Sequence, residues 1–203
     1  PEGSGKTTAY VLGVLMRLKY GFEEAPRALI LVPDKERLAE VVARFELINR
    51  NQTIRVAGLY PDGNIDVQMD TLADGADIVI ATPDRARAIY LKLGLNLNKI
   101  LMFIVDDAAE IIKRGQQLPV AELARSIVKC QHLVFTELVH DKLHKLIDQF
   151  MNFPALVEVS ESVERQLPAC EQVIYHVPDF RTKLDLLYLL MKDREVFDKV
   201  AVF

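Results

Sequence analysis

The chain has 203 residues, half of them hydrophobic and 27% charged. That is enough apolar material for the core of one domain, or one and a part, and it excludes bulk disorder. The formal net charge of −4 excludes a whole-surface attraction to nucleic acid and leaves room only for a local basic strip.

Apolar periodicity and chain breakers give a repeated alternation of elements. Lys6 to Tyr20 reads as a helix, with Val11, Leu12, Val14, Leu15 and Leu18 at helical spacing and Gly21 as its end. Ala28 to Val32 is a short apolar run stopped by Pro33, as suits a buried parallel strand. Asp34 is an N-cap for a helix from Lys35 to Asn49. Thr53 to Leu59 is a weaker strand, and Ile65 to Asp74 a short helix closed by Gly75. Asp77 to Ala81 is a second buried strand, followed by Thr82-Pro83 and a helix through Leu93. Ile100 to Val105 is a third. Helices are expected over Asp107 to Lys113, Pro119 to Lys129 and His140 to Met151, with strands at Leu133 to Phe135 and Ala155 to Val159. Strands that alternate with helices imply an α/β fold, a mainly parallel sheet flanked by helices on both faces.

A polar stretch with Pro168 follows, so residues 1–159 are expected to form one domain and 160–171 a linker. Residues 172–203 are then the opening of a second domain: a strand over Gln172 to Val177, a helix over Asp179 to Met191 and a strand from Lys199. Pro1 already lies inside a glycine-rich loop, so the chain is expected to be an excerpt whose first strand lies upstream. Cys130 and Cys170 lack metal-ligand spacing and read as two reduced thiols, which points to an intracellular, cytoplasmic setting. No apolar run has the length of a bilayer span, so no membrane partner is expected.

The sharpest local feature is Gly3-Ser4-Gly5-Lys6-Thr7, leading into a helix. Glycines let consecutive N–H groups turn toward one point, and the positive end of the helix faces the same point. Gly3, Ser4, Gly5, Lys6, Thr7 and Thr8 are therefore candidate nucleotide-phosphate ligands. Lys6 would reach the β- and γ-phosphates, and the Thr7 hydroxyl would hold Mg²⁺. The bland alternative is a chance Gly-Ser turn before an amphipathic helix.

Ile104-Val105-Asp106-Asp107 is a hydrophobic strand ending in two carboxylates. Beside a phosphate loop, the first such carboxylate holds Mg²⁺ through water, and a second can orient the attacking water. Asp106 is thus the candidate metal residue and Asp107 the candidate base, with Lys6 completing the catalytic set. The alternative for Asp107 is an N-cap of the following helix, and both roles can hold at once.

The ordered set of segments resembles the first RecA-like domain of DEAD-box RNA helicases. Pro1 to Thr7 resembles motif I, and Pro33-Asp34-Lys35-Glu36 stands where that family has Pro-Thr-Arg-Glu. Thr82-Pro83-Asp84-Arg85 resembles Thr-Pro-Gly-Arg, and Asp106-Asp107-Ala108-Ala109 takes the place of Asp-Glu-Ala-Asp. Phe135-Thr136-Glu137-Leu138 falls at the Ser-Ala-Thr motif, and Gln172 to Leu190 resembles the start of the second RecA-like domain. The resemblance implies a RecA-like P-loop fold, ATP with Mg²⁺ at motif I and Asp106, and RNA as partner. Pro33, Lys35, Thr82 and Arg85 would lie along the RNA backbone, with no base-specific reading. Its adenine-recognising and arginine-finger segments would lie outside these residues.

Several positions depart from the family pattern. Glu2 replaces a threonine, Asp84 a glycine, and Asp107 is one methylene shorter than glutamate. Ala109 lacks the final carboxylate, and Glu137 and Leu138 replace a small residue and a hydroxyl. The expectation is an RNA-helicase-like protein with impaired hydrolysis or coupling. The alternative is a degenerate RNA-binding or scaffold module. A small-molecule P-loop kinase is disfavoured because no lid segment rich in arginine is present.

Overall fold

The computed structural model describes residues 3–18, 25–49, 54–159 and 175–192. The segment through Val159 forms one compact unit, and the residues from Ser160 onward a second. The first unit is built on a five-stranded sheet: β1 (Ala28–Leu31), β2 (Val56–Leu59), β3 (Ile78–Ala81), β4 (Met102–Val105) and β5 (Gln131–Val134). The order is β2-β3-β1-β4-β5, and every neighbouring pair is parallel. Every residue of β1, β3 and β4 is buried, as continuous apolar runs in a parallel sheet require.

Strand alternation divides the core in two. Ile30, Ile80 and Ile104 pack with α1 (Lys6–Arg17) and α2 (Lys35–Ile48) on one face. Leu29, Val79 and Phe103 face the opposite side. There they meet α3 (Ile65–Ala73), α4 (Pro83–Leu91), α5 (Ala108–Lys113), α6 (Gln117–Ser126) and α7 (Asp141–Ile147). Asp34 caps α2 by accepting from the Arg37 amide at 2.8 Å, as its position before Lys35 dictates. A buried cluster ties the entry ends of three strands. Asp77 accepts from the Arg27 guanidinium at 3.0 Å and from the Arg55 amide at 2.9 Å, while its own amide donates to the Arg55 carbonyl.

Three expectations need correction. Ala155 to Val159 forms no strand: these residues are exposed, and none pairs with the sheet. β5 begins at Gln131 rather than Leu133, because polar Gln131 and His132 pair with Met102 and Phe103 at a less buried margin. The helix expected from Pro119 begins two residues earlier, with Pro119 in the first turn, where a missing N–H costs no helical bond. In the second unit, α8 (Phe180–Lys192) forms, and Asp179 accepts from the Thr182 amide at its start. Residues 175–177 take no regular structure. The remainder of the strand expected over Gln172 to Val177, and that from Lys199, lie outside the described residues.

Candidate nucleotide site

The exits of β1 and β4 are adjacent in the sheet, with Leu31 opposite Val105. The turns that follow these strands therefore open on one edge, beside the glycine turn that precedes α1. A pocket of about 760 Å³ lies there, lined by Gly3, Ser4, Gly5, Lys6, Thr7 and Thr8 together with Asp106 and Asp107. Every residue singled out in sequence for phosphate or metal is thus gathered at one place. Gly3 and Gly5 both adopt positive φ, 71° and 83°, a conformation that favours glycine. Gly5 is the N-cap of α1 and makes no side-chain cap, which leaves the first amides of the helix for an anion.

Within the pocket several charged groups are committed to one another. Lys6 Nζ donates to Glu137 Oε1 at 2.8 Å. The Lys6 ammonium holds the Glu137 carboxyl below the usual carboxylate range. Asp106 is 1% exposed, and three donors converge on its Oδ2: Arg37 Nη2 at 2.8 Å, Arg37 Nε at 2.9 Å and the Tyr10 hydroxyl at 3.0 Å. Burial and the Asp106 charge push the Tyr10 phenol well up, so it stays a donor. Arg37 Nη2 also donates to Thr7 Oγ1 at 2.7 Å, and Nη1 to Glu40 at 2.8 Å. Burial opposes the Arg37 charge, but Asp106 and Glu40 outweigh it and hold the guanidinium protonated.

Asp107 adopts φ 52° and caps α5, its Oδ1 accepting from the Glu110 amide at 3.4 Å. Burial, with Asp106, Glu137 and Glu110 nearby, pushes its carboxyl up, partly offset by that amide. The chain geometry at Asp107 is therefore that of a helix cap. Carboxylates outnumber cationic side chains along the wall, and of its cations Lys6, Arg37 and Arg114 already pair with carboxylates.

Magnesium has the right donor chemistry in Thr7 and Asp106, a hydroxyl and a carboxylate. As arranged they do not fit the ion, because the Arg37 guanidinium lies on both. Arg37 is the pocket residue that sequence reading passes over, its Lys-Glu-Arg run being that of an ordinary solvated helix face.

The residues assigned to an RNA path divide differently. Pro33 lines the nucleotide pocket. Lys35 Nζ lies 3.3 Å from Asp62 and over the Tyr60 ring. Arg85 Nη2 donates to the Pro61 carbonyl and, at 2.9 Å, to that of Gly63. Both cations thus gather on the loop after β2. Thr82 is 2% exposed, and its buried hydroxyl meets no hydrogen-bond partner among the described residues. Asp84, in place of a glycine, accepts from Gln116 at 2.9 Å and ties the start of α4 to the turn before α6. Glu2 lies outside the described residues.

The family model for DEAD/DEAH box helicases matches residues 1–152. The chain belongs to this family. Among curated DEAD-box relatives, the ATP-dependent RNA helicase DeaD of Haemophilus influenzae is 28% identical over 206 residues, covering 99% of this chain and 32% of the relative. The rice DEAD-box ATP-dependent RNA helicase 28 is 30% identical over 207 residues, covering 99% of this chain and 26% of its own length. The chain therefore spans about a third of the length of the curated relatives it matches. In three dimensions it is similar to a crystal structure of a DEAD box protein from Methanococcus jannaschii. The TM-score is 0.69 at 27% identity, over 75% of this chain and 42% of the other. The DEAD-box fold explains why motif I, the Asp106 strand end and the Thr136-Glu137 turn share one pocket. Among the described residues, no helix is long and apolar enough to cross a membrane.

Proposed function

We propose that the protein to which this chain belongs is an ATP-dependent RNA helicase-like protein, intracellular, with weakened hydrolysis or coupling. The observation that carries the reading is the convergence of the glycine turn, Lys6 and Asp106 on one pocket. Backbone amides at Gly3 to Lys6 and the ammonium of Lys6 would bind nucleotide phosphates. Lys6 would have to exchange Glu137 for a phosphate oxygen. Magnesium would have to enter between Thr7 and Asp106, where Arg37 now donates to both. RNA would run along the strand exits, with Lys35, Arg85 and the start of α4 meeting phosphates. There Thr82 shapes the turn rather than presenting its buried hydroxyl, and Pro33 holds the bend at the pocket rim.

Weak turnover is supported by Asp107 acting as a helix cap, by Ala109 having no carboxylate, and by Leu138 having no hydroxyl to link the nucleotide site to RNA. The second reading is a module that binds RNA or protein partners without turnover. It is favoured by the Lys6–Glu137 pair, which occupies the cation that a γ-phosphate needs. Steady-state ATP hydrolysis by the full-length protein, with and without RNA, separates the two. Slow turnover with little RNA stimulation is expected, and robust RNA-stimulated turnover would refute the impaired reading.

A further inference from the structure

A divalent ion in a phosphate site does two things: it neutralises the strand-end carboxylate and it bridges that carboxylate to the phosphates. Here a side chain already does the first and is placed for the second. Arg37 Nη2 spans Thr7 Oγ1 at 2.7 Å and Asp106 Oδ2 at 2.8 Å, and Nε adds a second bond to Asp106 at 2.9 Å. The three residues come from three elements, α1, α2 and the exit of β4. Asp34 fixes the first turn of α2 by accepting from the Arg37 amide, and Asp34 is itself held by Arg114 at 2.8 Å. The guanidinium is therefore positioned from its backbone outward.

We propose that Arg37 is the resident cation of this site, standing where a divalent ion would otherwise join Thr7 and Asp106 to a nucleotide phosphate, so that nucleotide binds without Mg²⁺. This rests on the nucleotide-binding reading above. Four hydrogen bonds to Thr7, Asp106 and Glu40 use four of the guanidinium's N–H groups, and a guanidinium has five. The fifth remains for a phosphate oxygen. The Arg37 side chain is 27% exposed while Asp106 is 2% exposed, so the outer edge of the guanidinium reaches the pocket. A magnesium ion demands near-octahedral oxygen ligands at about 2.0–2.1 Å, and it would have to expel an arginine that hydrogen-bonds two of its ligands. Arginine suits the exchange because its planar fork matches phosphate and stays charged at all working pH values.

The test is equilibrium binding of ATP and of ADP to the full-length protein, with excess Mg²⁺ and with EDTA, for wild type, Arg37→Lys and Arg37→Met. Wild-type affinity is expected to agree within about twofold between the two conditions. Arg37→Met is expected to lose about tenfold or more in EDTA and to recover with Mg²⁺, since each factor of ten is a readily measured change. Arg37→Lys keeps the charge but not the fork and should fall between. Mn²⁺, titrated alone with its paramagnetic signal as the readout, should bind Arg37→Met at the Thr7–Asp106 pair and not the wild type. Wild-type binding that vanishes in EDTA overturns the proposal, and this arm needs no variant to fold. Absence of binding by every protein in both conditions overturns the nucleotide reading and the proposal with it.

Discussion

Replacing Glu137 by glutamine should tighten ATP binding far more than ADP binding. Glu137 Oε1 lies 2.8 Å from Lys6 Nζ, with side-chain exposures of 42% and 23%. A pair this open to solvent is worth only about 0.5–1 kcal/mol after screening. That is the cost a nucleotide meets in freeing Lys6. A γ-phosphate brings a second cost. It would stand about 4 Å from a carboxylate that cannot be neutralised cheaply, because Lys6 lowers the Glu137 pKa. In a water-like dielectric, one unit of like charge at that separation costs about 1 kcal/mol. For ATP the two add to roughly 2 kcal/mol, about thirtyfold in affinity. ADP has no γ-phosphate and should gain only the first part, roughly two- to fivefold. Glutamine keeps the size of the side chain, so the comparison isolates the charge. Isothermal titration of both nucleotides, at low and high salt, measures it, and added salt should shrink the difference. Equal gains for ATP and ADP, or no gain for either, would show that Glu137 does not contend with the terminal phosphate.

Lys6→Ala should abolish measurable nucleotide binding while leaving thermal stability almost unchanged, since the lysine's ion pair with Glu137 is partly exposed; unaltered affinity would remove the glycine turn from the account. Asp77→Ala should cost about 3–5 kcal/mol in urea unfolding, because it removes the carboxylate that compensates the buried Arg27 guanidinium. Asp77→Asn should recover part of that through its carbonyl oxygen. Burial pushes the Cys130 thiol up to about 11, and only the thiolate is nucleophilic. Alkylation at Cys130, followed by peptide mass spectrometry, should therefore be slow at pH 8 and climb as pH rises toward that value.

The fold was legible because its central strands are buried on both faces. Ala28–Leu31, Ile78–Ala81 and Met102–Val105 are continuous apolar runs bounded by Pro33, Pro83 and an aspartate pair. A parallel sheet writes itself this way. The failures lie where the sheet is not central. Gln131 and His132 are polar because β5 is less buried, so apolar patterning shows the strand only from Leu133. Ala155 to Val159 has a strand's composition, but composition does not supply a neighbour, and without paired N–H and C=O groups the segment stays irregular. Pro119 marks the start of its helix only to within a turn, because proline is tolerated anywhere in the first turn.

The candidate site is legible where a motif sets residue types at fixed spacing, as in Gly3 to Thr7 and the Asp106 strand end, which the structure brings to one pocket. It is illegible where the pairing arises from topology. Arg37 meets Asp106 across 69 positions of sequence, only because β1 and β4 are neighbours and their exits share an edge. Glu137 meets Lys6 across 131 positions. Neither pairing leaves a local signature, yet together they decide what the pocket can do. Each group a nucleotide would recruit has an internal partner: Lys6 has Glu137, Thr7 and Asp106 have Arg37, and Asp107 has the Glu110 amide. These four groups are satisfied by the protein itself. A ligand gains only the difference between its own contacts and those it displaces. That difference is small for Lys6, whose pair is solvent-exposed, and large for Asp106, whose pair is buried. A glutamate at position 137 should therefore tune affinity, whereas an arginine at position 37, on the proposal above, changes which cation the site can use at all.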